Sequence, residues 1–159
     1  MDQVSRLNPD SQALWGRIAR HDFDHDHVLS FSRRLAREQG WRAGFARGAV
    51  EEYRRFCFLA VTAGTPMTPS LEVDAVWHLH LTYTRDYWDV WCPQVLRLPL
   101  HHDPTEGGAA AQQRFRAQYA RTLLAYEGAF GPPPAAYWPA THRRFGPDRG
   151  PFARFWRRR

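Results

Sequence analysis

Four histidines, one cysteine and several carboxylates crowd into one stretch of the chain, SLEVDAVWHLHLTYTRDYWDVWCPQVLRLPLHHDPTEGG, from Ser70 to Gly108, beside three of its seven tryptophans. Imidazole nitrogens, a thiolate and carboxylate oxygens together suit Zn²⁺; iron and copper fit this mixture less well on ligand softness. The candidate ligands are Asp74, His78, His80, Cys92, His101 and His102, with Trp77 and Tyr87 placed to orient them. Three protein ligands and a water would make the ion an activating Lewis acid, and four would make it a staple. Two other readings remain open. Histidine with Asp74, Tyr87 or Cys92 can do metal-free acid–base or nucleophilic chemistry, and the whole set can instead be a satisfied hydrogen-bond network.

Helix geometry limits which of these groups can meet. On a straight helix Asp74 and His78 lie one turn apart on one face, whereas His78 and His80 point about 200° apart, so one ion cannot take both. His80 falls among Val73, Val76, Trp77, Tyr83, Tyr87 and Trp91, the apolar side; His78 falls with Asp74, Thr82, Arg85 and Asp89, the polar side. Cys92 returns to the polar face, but on an unbroken helix it stands roughly 21 Å from His78. A shared site therefore needs a bend, and Thr82-Tyr83-Thr84 offers one: these residues have low helix propensity, and Thr84 with Asp86 can start a new helix. Pro93 and Pro99 then read as the helix end, with His101-His102 on a connection that folds back. His101 and His102 can alternatively cap the preceding helix through its dipole.

The pattern Val73-Asp74, Trp77-His78-Leu79-His80, Tyr87, Cys92, His101-His102, Pro104-Thr105 and Gly107-Gly108 resembles the glycine-rich-domain-protein-like family, found in bacteria and as the front part of plant glycine-rich-domain proteins. The likeness extends to Phe31–Trp41, to EEYRRF at 51–56 and to Phe115–Trp138, and so covers most of the chain. The family carries no established activity, so the resemblance implies shared residues rather than a reaction. The glycine-rich tail of the plant relatives is missing here and an arginine-rich end stands in its place; no RNA-related role follows from the likeness.

The elements that must position these residues read as helices. Asn8-Pro9 starts the first, with Asn as N-cap and Pro at the first helical position, and it ends near Arg20. The run His21-Asp22-Phe23-Asp24-His25-Asp26-His27 could bind a metal, but alternating residues at a helix start point apart, and capping of the next helix by Asp24 or Asp26 is the better reading. After Gly40, Tyr53, Phe56, Cys57 and Ala60 recur at helical spacing, with Glu51, Glu52, Arg54 and Arg55 opposite. Cys57 reads as a small core residue. Ser70 caps a fourth segment with Glu72 in its first turn. Phe115, Tyr119, Thr122, Leu123, Tyr126 and Phe130 mark another, stopped by Gly131 and three prolines. No stretch alternates with period two. The expected fold is all-α, one compact domain of about five helices over residues 1–141, with an irregular basic tail at 142–159.

Composition bounds the function classes. Length and 14% aromatic content support one real core and argue against disorder. No apolar run approaches the roughly 18 residues that span a bilayer, and MDQVSRLNPD does not look like a secretory signal, so no membrane partner and a cytoplasmic location are expected. In that compartment two cysteines give no disulfide framework to expect. There is no phosphate loop, dinucleotide fingerprint or nucleophile elbow, hence no nucleotide cofactor and no named reaction; whether the chain is an enzyme is left open. The net charge of +6 sits in the tail: residues 1–141 carry 15 Arg against 15 acids, and residues 142–159 carry seven Arg against one. All 22 basic residues are Arg, which points to coding bias, so clustering matters more than number. Arg143, Arg144, Arg154, Arg157, Arg158 and Arg159, interleaved with aromatics, can dock on the domain or bind an acidic protein or nucleic acid, which makes a non-catalytic interaction module the alternative to a metal-dependent enzyme.

Overall fold

The computed structural model describes residues 8–24, 28–103 and 107–146. Among them the chain is all helical, in one domain of seven helices: α1 (Pro9–Arg20), α2 (Phe31–Gln39), α3 (Ala43–Thr62), α4 (Leu71–Thr82), a π-helix (Asp86–Leu96), α5 (Ala109–Phe130) and a single turn, α6 (Thr141–Arg144). The two beyond the expected five are short or unusually wound, features that apolar periodicity does not register. No helix among the described residues is long and apolar enough to cross a membrane.

Helix ends follow the local chemistry of the sequence. Asn8 Oδ1 accepts from Ser11 N at 2.8 Å and Ser70 Oγ from Val73 N at 3.1 Å, each satisfying a donor that the first turn leaves open. Ser30 makes no such bond at the start of α2. Asp24 does so from outside the helix, accepting from Ser32 N at 2.8 Å and Ser32 Oγ at 2.7 Å. Gly40 closes α2 at φ 67°, a left-handed turn that glycine takes without a Cβ clash.

α3 is the axis, with α1, α2, α4, α5 and the π-helix all packed on it. Its surroundings explain a departure from the helical wheel: Glu52 and Arg54, read as outward-facing, are buried. Glu52 accepts from Tyr126 Oη at 2.7 Å and from Trp138 Nε1 at 2.8 Å, and also pairs with Arg55. Arg54 donates to the Ile18 carbonyl at 2.6 Å, where a cation suits the C-terminal end of α1, and its guanidinium lies 4.7 Å from the Phe23 ring centre. A helix enclosed on most sides must bury some polar residues, and it keeps those that find partners.

The chain breaks where low propensity suggested. α4 stops at Thr82, Tyr83 sits at φ −87°, ψ 61°, and a new helix begins at Asp86. That helix runs on through Pro93 to Leu96 instead of ending there. The pyrrolidine ring that would strike the carbonyl four residues back in an α-helix is accommodated by the wider π turn. Arg97 then reverses the chain at φ 63°, and Leu98 N bonds to the Cys92 carbonyl at 3.1 Å.

Candidate functional site

The reversal at Arg97 brings the 98–103 connection back across α4. Tyr87 Oη accepts from Trp77 Nε1 at 2.9 Å and donates to the Leu100 carbonyl, so one hydroxyl ties α4, the π-helix and the returning loop together. The Trp77 ring then packs edge-on to His102, centroids 4.4 Å apart. These contacts set His102 over the polar face of α4.

There it meets the pair the wheel had placed together. His102 Nε2 lies 2.8 Å from Asp74 Oδ1, His78 Nε2 lies 3.5 Å from Asp74 Oδ2, and the two imidazoles are centred 4.4 Å apart. Asp74 thus offers one oxygen to each ring. One ligand atom from each residue lies within 4.8 Å of the others, a group that could hold a metal ion. Asp74, Trp77 and His102 line a cleft of about 650 Å³, with Met67, Phe115, Arg144 and Phe145 among its other walls. Asp74 and His102 are mostly covered, while the His78 side chain is 40% exposed.

The two imidazoles differ in proton affinity. Burial lowers His78, with the Asp74 charge opposing and His102 reinforcing. For His102 burial pulls in the same direction, but the hydrogen bond and charge of Asp74 outweigh it and hold this ring above the usual histidine range. Burial therefore favours the neutral form of His78, and the contact to Asp74 favours the cationic form of His102.

The remaining candidates lie elsewhere. His80 is fully buried on the other side of α4, as its apolar neighbours required. Its Nε2 lies 2.8 Å from Asp86 Oδ2, its Nδ1 lies 3.0 Å from Tyr53 Oη, and His21 Nε2 reaches the same Asp86 oxygen at 3.0 Å. His21, His80 and Asp86 form a second group whose atoms could hold a metal. Burial lowers His80 despite Asp86. Burial alone would raise Asp86, but hydrogen bonds from His21 and His80 bring it well below the ordinary carboxylate range. Phe23, Phe31 and Trp91 pack against the His80 ring. A neutral His80 donating to Asp86 and accepting from Tyr53 is satisfied at both nitrogens.

Cys92 belongs to neither group. It is buried against Tyr87, and burial raises its thiol above the ordinary value. The bend is present, yet it directs the end of the π-helix into the core, so the thiol stays apart from Asp74 and His78. His101 is exposed at the cleft wall, 5.5 Å from the Trp88 ring, and is not part of the Asp74 group. Trp77 and Tyr87 do orient the loop that carries His102.

Sequence reasoning weighed metal binding for the run that holds His21 and preferred capping, and it gave Asp86 no site role. His21 stood in a run read as capping, and its one signal was position: it lies between Ile18 and Phe23, both core residues. Asp86 was read only as a helix starter. Of the tail arginines, Arg143 is exposed and Arg144 packs, 4.8 Å from the Phe145 ring centre and 5.9 Å from that of Tyr119; Arg154, Arg157, Arg158 and Arg159 lie outside the described residues. The start of the tail carries the end of α6 and docks on the domain, as one reading of it allowed: Phe145 packs edge-on to Tyr119 at 5.7 Å. Among the described residues the fold and site together define an all-helical protein with two His₂Asp groups, one beside a cleft and one in the core. No family model, no curated protein and no solved structure matches the chain.

Proposed function

We propose that this protein binds a divalent transition-metal ion, Zn²⁺ by the chemistry of its donors, through Asp74, His78 and His102, and that the adjoining cleft is the active site of a metal-dependent enzyme. The observation that carries the reading is the convergence of two imidazoles and a carboxylate from a helix and a returning loop, with Asp74 and His102 at the wall of a cleft large enough for a small molecule. The donor set fits. His78 is held neutral by burial, and Asp74 stabilises positive charge at His102, where a cation can take the place of the proton. Two histidines and one carboxylate are the ligand count of catalytic rather than closed structural zinc sites. A bound ion would supply Lewis acidity toward a substrate in the cleft. Asp74 orients both rings, Trp77 fixes the plane of His102, and Tyr87 holds the loop. Membership of the glycine-rich-domain-protein-like family belongs to the same reading, resting on the spacing from Asp74 through Cys92.

Metal analysis of protein purified without a His tag, followed by Zn²⁺ titration calorimetry, tests it. One ion per chain is expected, lost in Asp74→Asn and His102→Ala and kept in His21→Ala. An ion retained by His102→Ala but lost from His21→Ala would move the centre to the buried group, and no binding by the wild type would end the reading.

A further inference from the structure

We propose that the cleft takes a small organic oxyanion, a carboxylate or a phosphate monoester, with its charged end on Arg144 and its apolar body against Phe115 and Phe145. This deepens the metal-site reading and rests on it for the identity of the cleft as the active site. Arg144 is the arginine in the cleft wall, and it is held in place: its guanidinium lies over the Phe145 and Tyr119 rings, so less freedom is lost when it meets a ligand than for a solvated arginine. Planar guanidinium donors match carboxylate and phosphate oxygens in pairs. The other walls combine Met67, Trp77, Phe115 and Phe145 with a volume of about 650 Å³, which suits an aryl or acyl group rather than an inorganic ion.

Charge in the cleft divides the roles. Asp74 and Asp103 line it too and repel an anion. Arg144 offsets that repulsion, and a cation at Asp74, His78 and His102 would remove most of the remainder. Anion affinity is therefore expected to depend on Arg144 and to rise on metal loading.

The test uses the full chain with and without Zn²⁺ and three probes of similar size, benzoate, phenyl phosphate and neutral benzamide, followed by calorimetry. At least one anion should bind tenfold or more tightly than benzamide, and the tighter of the two tells carboxylate from phosphate. Arg144→Gln should weaken that anion tenfold or more, Arg144→Lys should weaken it less, and both should keep the wild-type Zn²⁺ stoichiometry and circular dichroism. Phe115→Ala should weaken binding of all three probes. Equal binding of benzamide, no binding of either anion, or unchanged anion affinity in a folded Arg144→Gln overturns the proposal. Arg144-dependent anion binding in a protein that takes up no Zn²⁺ would sustain it while removing the metal reading.

Discussion

Two groups in this molecule share one composition, two histidines and an aspartate, yet their surroundings give them opposite chemistry. Around Asp86 the two imidazoles point at one carboxylate oxygen, Tyr53 occupies the far nitrogen of His80, and aromatic rings seal the set. Around Asp74 each ring has its own oxygen, one imidazole is 40% exposed, and a cleft lies alongside. The buried group joins the end of α1 to the α4–π-helix junction, and its hydrogen bonds are consumed in holding that joint. The cleft group spends fewer contacts on itself and leaves a side open to a ligand. Composition names the ligands that are possible; burial and satisfaction decide which group can exchange a proton for something else.

That contrast can be broken most severely by truncation. His80→Ala should cost about 3 kcal/mol, because it empties a fully buried site, strands the Tyr53 hydroxyl and leaves Asp86 with one imidazole instead of two, whereas His102→Ala should cost about 1 kcal/mol or less. Urea denaturation measures both, and equal losses would erase the distinction.

Metal should separate the groups next. At a Zn²⁺ concentration a hundredfold above Kd the wild type should gain about 2.7 kcal/mol against unfolding. His102→Ala should gain almost nothing and His21→Ala the full amount. A gain retained by His102→Ala would assign the ion to the core.

The pH dependence should have opposite signs at His80 and His102. His80 is lowered in the folded chain, so the unfolded chain takes up its proton first and stability falls as pH drops below about 6.5; Asp86, also lowered, adds a further loss below about pH 4. His102 is raised, so its contribution is complete below about pH 6.5 and is lost as pH rises through its folded value. Between pH 5 and 8 the His102→Gln chain should therefore gain stability with pH more steeply than the wild type in denaturation midpoints. A shallower slope would contradict the assignment.

The smallest effect belongs to Cys92. With a buried thiol raised above its ordinary value and no place in either group, Cys92→Ala should keep Zn²⁺ binding within twofold and cost about 1 kcal/mol. A large loss of metal by calorimetry would return the thiol to the site.

Much of this was legible in the sequence where the cause is local. Asn8-Pro9, Ser70 and Gly40 mark helix ends by capping and backbone freedom, and the one-turn spacing of Asp74 and His78 placed two of the three cleft-group residues together. The split between His78 and His80 followed from the helical period. Harder to see was the continuation through Pro93, because π winding has no apolar signature, and the burial of Glu52 and Arg54, whose partners Tyr126, Trp138 and Ile18 lie far away in the chain.

The sequence by itself determined the helices, the break after Thr82 and the sidedness of α4, since each depends on neighbours within a turn or two. Tertiary structure alone decided that His102 returns to Asp74, that His21 joins His80 at Asp86, and that Arg144 lines the cleft. Those pairings span 28, 65 and more residues, and they are set by how the 98–103 loop and α1 pack around α3 and α4, which no local pattern of residues encodes.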